Sequence, residues 1–485
     1  MRSRIEIALV IILSLLFVAV NSYYTYQHSA MLSIIPFALL ASMWVFFAPT
    51  KLFYGLALLV PLSVPLRRII PGLSFDFWFP TEPVLVFLLL MLILKSLKEN
   101  YFQKELLRHP LFISMLFFLG WILISVIPSE MPVVSIKYFF VRFWFIGVFF
   151  YLAYFVFKKD LGKINVFLIL FTVGLTIVAI FSIFKQSAVG LLNHHSAYNS
   201  SAPFFIDHTS YGATLAFTIP FIGALSFNAK KSVYKIICWG LTGFLTIALI
   251  LSYSRAAWLS LILSLGIWVL ILLKIKLRTL LVTGAIVAAI FFTFQDEIMW
   301  NFEQNTTDSS GNLAEHVKSI YNIRSDASNL ERINRWDAAL SMFSERPMFG
   351  WGPGTYQFVY APFQKSQNRT IISTNFGNWG NAHSEYLGLM SEAGLPAAIA
   401  FVVICALALI TGFNLLKRKD ITREHRNIVI GSLMGLIGYI FHGILNNFLD
   451  MDKIAAPFWG SMAILLALEY HYKSIAKQKL AEIEA

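Results

Sequence analysis

The sequence predicts an all-α polytopic membrane protein with about 12–14 transmembrane helices and one large, partly helical loop late in the chain. Three observations carry that prediction. Apolar residues fill 58% of the 485 positions and charged residues only 13%, about half the charge of a soluble domain. Apolar runs of about 20 residues, the length a hydrocarbon core demands, recur throughout. Basic residues gather in alternate connections between those runs, the pattern that orients membrane helices.

Taken in order, the runs lie near Ile5–Val20, Met31–Ala48, Leu52–Pro65, Pro83–Leu94, Pro110–Ile127 and Ser135–Phe157. They continue near Ile164–Phe184, Tyr211–Phe227, Val233–Leu251, Ala256–Leu273 and Leu277–Phe294. Leu395–Leu416, Ile428–Phe448 and Ala455–Tyr470 complete the set. Leu52–Pro65 is short and contains Pro61 and Pro65. The opening Met-Arg-Ser-Arg run has no small-residue cleavage site, so it reads as a retained span rather than a signal peptide. With the N-terminus in the cytoplasm, 24 of the 38 basic residues fall on the cytoplasmic side, and only five outside it once the large loop is set apart. Both termini are therefore expected inside and the large loop outside. The net charge of +12 reflects insertion, not a nucleic-acid partner. Cys238 and Cys405 both fall within spans and read as small apolar residues. Three regions follow: a helix bundle over 1–294, the large loop over 295–394, and C-terminal helices with a cytoplasmic tail over 395–485.

The loop has an organisation of its own. Ser328-Asn-Leu-Glu331 fits a capping box, in which serine and glutamate each satisfy a free amide at a helix start. Ile333, Trp336, Leu340 and Phe343 recur at helical spacing and predict one apolar stripe. Pro347 stops that helix, and Gly350-Trp-Gly-Pro-Gly354 is rich in turn residues. Asn381–Ala393 reads as a short interfacial helix, after which Gly394-Leu-Pro396 opens the next span, a position proline suits.

Few residues in this setting have chemistry to offer. Arg255 sits in a tight outer turn, either snorkelling to headgroups or presenting its planar fork to a phosphate. Arg332 lies in the first turn of the loop helix, where the macrodipole disfavours a cation by up to about 1 kcal/mol. A bound anion reverses that penalty; Glu331 as a surface partner is the plain alternative. Arg335, one turn on, reads as a solvated or structural charge. His383, with Glu385 nearby, is a candidate general base, or an interfacial histidine bonded to a carbonyl. Asp207 and His208, like His194 and His195, give no coherent ligand set, and no metal is assigned. Arg142 and Lys185 lie just inside spans, where charge is expensive, and are candidates for lining an outer polar cavity. Trp144 and Trp258 read as belt or packing aromatics.

Four segments in order resemble a known family: Ser254-Arg-Ala-Ala-Trp-Leu259, then Arg332 with Trp336, Ala339 and Leu340, then Pro347-Met-Phe-Gly-Trp-Gly-Pro-Gly354, and His383-Ser-Glu-Tyr386 through Glu392-Ala-Gly-Leu395. Over Asp207 to Leu395 the chain resembles the O-antigen ligase and polymerase superfamily of bacterial membrane glycosyltransferases. The resemblance implies a GT-C-like enzyme of the inner membrane with a periplasmic active site and a periplasmic loop. It implies transfer of a glycan from an undecaprenyl-diphosphate carrier, without metal or other cofactor. Carried over by position, it nominates Arg255, Arg332 and His383 as catalytic. Arg142, Arg335, Trp336, Glu385, Tyr386, His208 and Asp207 are further substrate-binding candidates. Ser384 departs from the family, which more often has Asn after the histidine.

Physical chemistry agrees. A diphosphate leaving group needs its negative charge stabilised, and fixed guanidinium groups do this best where water is scarce. The expected reaction is ligation onto lipid A–core, with inversion at the anomeric carbon. Polymerisation of carrier-linked repeats, protein O-glycosylation and flipping of a lipid-linked glycan follow as alternatives. The outer polar groups weigh against a transporter, which places charges near the midplane. A peptidoglycan polymerase would need an outer aspartate with no obvious equivalent here.

Overall fold

A computed structural model describes residues 2–26, 48–70, 77–98, 104–273, 327–369 and 380–484, with Thr279, Ile286 and Ser373. The expected spans Met31–Ala48 and Leu277–Phe294 fall almost wholly outside the described residues, as does the loop over 295–326. The described chain is a helix bundle: α1 (Arg2–Tyr26), α2 (Pro49–Leu59), α3 (Thr81–Lys98), α4 (Pro110–Ser125), α5 (Pro132–Lys159) and α6 (Gly162–Ser187). It continues with α7 (His208–Asn228), α8 (Ser232–Leu251), α9 (Arg255–Leu272), α10 (Ala327–Glu345), α11 (Glu385–Lys417), α12 (Arg423–Leu445) and α13 (Asp452–Glu484). Among the described residues seven helices are long and apolar enough to cross a bilayer: α5 to α9, α11 and α12. The protein is an all-α polytopic membrane protein.

One expected span is not one. Leu52–Pro65 is an 11-residue helix, α2, about 16 Å long at 1.5 Å per residue and too short for a hydrocarbon core of about 30 Å. The chain leaves the helix before Pro61. Val64 and Pro65 (β1) then pair antiparallel with Phe79 and Trp78 (β2). This small clip covers a buried ion pair at the start of α13. Lys453 Nζ lies 3.1 Å from Asp452 Oδ1 and donates to Ser63 Oγ at 2.6 Å. Asp452 Oδ2 accepts from Ser63 at 2.9 Å and from Thr81 at 2.6 Å, and Trp78 covers the ammonium at 3.8 Å. Such a pair is tolerated away from water only because further hydrogen bonds satisfy it.

Two helices form the centre. α7 is nearly all enclosed, with 89% of its most apolar window buried, and packs along α12, α8 and α9. In α13, every residue from Asp452 to Leu468 is buried, with Trp459 wholly so. Its partners are α5, α11 and α12. α5 passes through a seven-residue π-helical segment, Ile146–Leu152, just after Arg142; such widened turns are uncommon and gather at functional sites.

The large loop is joined to the bundle through backbone bonds. Gly394 interrupts α11 at φ 79°, ψ 178°, as the Gly-Leu-Pro signature led one to expect. The break releases Leu395 N–H to donate to Pro347 O at 2.9 Å, and Pro396 has no N–H to give. The carbonyls of Ser391 and Glu392 therefore accept instead from Trp351 N at 3.0 Å and Gly352 N at 2.9 Å. The Glu392 carboxylate adds Tyr356 N at 2.9 Å. Gly352, at φ 120°, lies so close to Ser129 that a Cβ would sit 2.0 Å from its hydroxyl oxygen.

Gly394→Ala is expected to break this junction. A non-glycine residue in that conformation costs about 1–3 kcal/mol, and its Cβ would lie 2.0 Å from Met348 O. Thermal unfolding in detergent should show a clear loss of stability; an unchanged midpoint would mean the junction is dispensable.

Candidate active site

One end of the bundle, called here the loop face, gathers the starts of α7, α9 and α11 and the end of α12. α10 lies across it. Each element is fixed locally. Asp207 caps α7, its Oδ1 accepting from Ser210 N at 2.7 Å and Thr209 Oγ1 at 2.8 Å. His208 Nδ1 stands 2.8 Å from Ser252 O, which ties α7 to the turn before α9. In that turn Tyr253 adopts φ 53°, and Arg255 is the first residue of α9.

α10 is described from Ala327 onward, and the side chain of Ser328, on which the expected capping box rests, lies outside the described residues. Glu331 turns along the helix. It takes Arg335 Nε at 2.6 Å on one oxygen and Ser373 Oγ and Asn334 Nδ2 on the other. Burial raises its carboxyl, but the bonds from Ser373 and Arg335 outweigh that and hold it below the usual range. The expected apolar stripe is also displaced. Ile333 and Leu340 are exposed, and the buried face is Glu331, Asn334, Arg335, Ala338, Ala339 and Met342. It packs on Tyr356, Tyr360 and Ala382. Small residues let the backbones approach, while Arg335 lies over the Tyr360 ring at 4.1 Å; hydrophobic periodicity sees neither. Arg335 is thus built into the packing of the loop.

Arg332 points the other way, to the loop face. Its Nε donates to Leu445 O at 3.3 Å and its Nη1 to Asn329 Oδ1 at 3.1 Å. Leu445 ends α12, so the carbonyl end of one helix offsets the penalty Arg332 meets at the start of its own. Arg332 and Arg255 both lie within electrostatic reach of His208, and Arg332 and Arg335 within reach of His383. Arg332 thus lies within reach of both His208 and His383, and Arg255 within reach of His208.

His383 sits in a strained, left-handed conformation, φ 48°. Two contacts hold it there: Asn381 Oδ1 accepts from His383 N at 3.1 Å, and Trp336 Nε1 donates to His383 O at 3.2 Å. Burial first, then Arg332 and Arg335, push the imidazole down to about 4, while a side-chain hydrogen bond with Asn446 acts the other way. Its Nδ1 is shielded from solvent and has no hydrogen-bond partner among the described residues. Ser384 caps α11 by accepting from Leu387 N at 3.4 Å, a position serine suits.

Other expected residues lie elsewhere in the arrangement. Glu385 does not orient His383. Its Oε1 accepts from Phe448 N and Leu449 N, both at 2.8 Å, and from Tyr439 at 2.6 Å. Arg142 stands 2.6 Å from Asp450 Oδ1 and 3.8 Å from Glu385 Oε2, with Tyr138 at 2.9 Å. Tyr386 donates to Ile440 O at 2.8 Å, and Lys185 donates to the carbonyls of Asn199 and Ala202. These groups shape the walls. Among the described residues no three His, Cys, Asp or Glu side chains come together as a metal-ligand set. Cys238 and Cys405 are free.

Sequence reasoning missed Asn446, Asn381 and Asp450, which lie beside the site without a motif to mark them. The Asn446-Asn447 pair just past the end of a span was the available signal. Glu331→Gln should destabilise the loop by about 3–5 kcal/mol, because it removes the carboxylate bonded to a buried guanidinium. Limited proteolysis of the loop and thermal unfolding both read this; wild-type behaviour in both would show the pair to be incidental.

Residues 240–402 match a family model described as O-antigen ligase, and the matched stretch holds Arg255, Arg332 and His383. No curated protein matches the chain. The matched stretch, about a third of the chain, runs from within α8 across the loop face into α11, and over it the chain is similar to the O-antigen ligase family.

Proposed function

We propose that this protein is an O-antigen ligase-type glycosyltransferase. It moves a glycan from undecaprenyl diphosphate to a lipid A–core acceptor on the periplasmic face of the inner membrane, without a metal. The observation that supports this most is the meeting of Arg332 and His383 at the loop face, with Arg255 sharing the His208 neighbourhood. In this reading the acceptor hydroxyl oxygen attacks the anomeric carbon while its proton passes to the His383 imidazole. The bond from that carbon to the diphosphate oxygen breaks, and the electron pair leaves on the diphosphate. Arg255 and Arg332 take up that charge in a water-poor site. Attack opposite the leaving group inverts the anomeric configuration.

The low pKa of His383 gains a meaning here. In the free protein a base near 4 stays neutral across the working range. A bound diphosphate offsets the Arg332 charge and lifts the imidazole toward the value at which a base is most effective. Protonation of His383 removes the base, so activity falls as pH drops through its pKa. The acid limb of kcat/KM, which reports the free enzyme, is expected near pH 4, and that of kcat at a higher pH. Coincident limbs near pH 6.5 would remove this account of the base.

The deciding assay supplies purified protein with undecaprenyl-diphosphate-linked repeat, with or without lipid A–core, in the presence and absence of EDTA. A single addition to lipid A–core, resistant to EDTA and lost in His383→Ala, is expected. A ladder from repeat alone makes the protein a polymerase. No product, from intact protein that moves the lipid across liposomes, overturns the enzyme reading. Arg332→Lys should lose nearly as much turnover as Arg332→Ala, since a point charge does not replace a bidentate fork; wild-type turnover in both would remove Arg332 from the mechanism.

A further inference from the structure

At the end of the bundle opposite the loop face, a cleft of about 910 Å³ opens between the start of α4, the end of α5, the end of α11 and the last turns of α13. It has no place in the reaction described above. α11 starts at the loop face and reaches the cleft only at its far cap, Arg418. α13 is buried without interruption as far as Leu468, and the cleft lies where that enclosure gives way.

The lining changes character along α13. Leu466, Tyr470, Lys473 and Lys477 all face the cleft, at spacings of four, three and four residues that share one side of a helix. Going outward, that side is first apolar, then amphipathic, then twice basic. Leu106 and Tyr154 widen the apolar floor, and Arg418 stands across from the lysines.

Most charges here are already committed. His109 Nδ1 accepts from Leu111 N at 3.3 Å, so its ring proton sits on Nε2 and goes to Glu469 Oε2 at 3.0 Å. Lys473 Nζ donates to Glu469 Oε1 at 2.8 Å. Tyr470 gives its hydroxyl proton to Glu105, and Lys158 lies over the same ring, 3.3 Å from its centre. Arg418 is bidentate on Asp420 at 2.9 and 2.7 Å. What is left over is positive. Lys473 has ammonium protons beyond the one Glu469 takes, and Lys477 makes no hydrogen bond or ion pair among the described residues.

We propose that this cleft binds one membrane phospholipid by its phosphate. The phosphate lies between Lys473 and Lys477 beside Arg418, and the glycerol and first chain carbons lie over Leu106, Tyr154 and Leu466. A solvated basic face needs lysines alone and no apolar floor beneath them. Inorganic phosphate would use the rim and leave the floor wet. An amphiphile uses both, in the order in which α13 presents them, at the depth where headgroups meet the ends of membrane helices. The site is independent of the chemistry at the loop face.

The experiment takes full-length protein in detergent, strips it of lipid and counts bound lipid by native mass spectrometry. The probes are phosphatidylglycerol, diacylglycerol with the same chains, and inorganic phosphate. One phosphatidylglycerol should be retained, diacylglycerol should not be, and an equal concentration of phosphate should not displace the lipid. Lys473→Ala with Lys477→Ala should weaken retention at least tenfold. Lys230→Ala with Lys231→Ala removes the same charge from another connection at the same end and should leave retention unchanged. Equal losses in the two double variants would reduce the effect to net charge and overturn the proposal, as would diacylglycerol held as tightly as the phospholipid. Displacement by inorganic phosphate would assign the rim to the free anion and remove the lipid from it. Should the double variant fail to fold, Lys477→Glu decides, because it leaves the Lys473–Glu469 pair intact: retained lipid there sinks the site.

Discussion

The exchange of backbone hydrogen bonds across Gly394 is the constraint on which the loop face depends. A helix continuing straight through residues 391–395 would consume its own carbonyls and leave the 347–352 turn with nothing to bind. Because the helix breaks, Ser391 and Glu392 accept from Trp351 and Gly352, and Leu395 donates to Pro347. The junction is set by peptide groups rather than by side chains, so its geometry is narrow. It fixes the far end of α10, and α10 in turn carries Arg332 to the end of α12 and Trp336 to the His383 carbonyl. A break in a membrane helix is ordinarily expensive, since peptide groups in lipid have no water to bind. Here the loop supplies the missing partners.

A second set of contacts positions the other half of the site. Arg142, Glu385 and Asp450 join α5, the start of α11 and the connection between α12 and α13. Glu385 receives two backbone amides of that connection, which holds residues 446–450 against the N-terminus of α11. One carboxylate thus closes the seam between that connection and the start of α11. Removing one charge from such a cluster strands the others in a poorly solvated place. Arg142 and Glu385, read from sequence as ligands, are thus committed to joining elements.

How much of this was legible in the sequence differs by element. Apolar runs marked the spans because hydropathy acts residue by residue, and Gly394-Leu-Pro396 marked the helix break because two residues there carry strong backbone restrictions. His383 and Arg332 were singled out through motif order. The stripe of Ile333, Trp336, Leu340 and Phe343 pointed to the wrong face of α10. That helix is buried by Ala338, Ala339 and a satisfied ion pair, and periodicity does not register a charged residue whose partner lies four positions back. Glu331 looked like a cap since its spacing from Ser328 suited one; in the fold its carboxylate is taken up by Arg335, Asn334 and Ser373. Asn446 was silent because its partner, His442 one turn back, marks no motif. Leu52–Pro65 was apolar enough for a span and too interrupted by proline to be a helix of that length.

The ion pair at the head of α13 sets a timing problem for biosynthesis. Ser63 and Thr81 are separated from Asp452 by 389 and 371 residues. At about 5–20 residues per second, the early polar groups wait on the order of 20–80 s for the residues that complete them. Until then the groove between the early helices that α13 will fill stands open in the bilayer, with hydroxyls lining its rim. Something must occupy it meanwhile, whether lipid or the insertion machinery. Nascent chains halted before residue 452 are expected to be recognised as unfinished even though most of their spans are already inserted. Completion of the core is thus a late and cooperative event, and the loop face, which draws on α12 and the 446–450 connection, is assembled only in its final seconds.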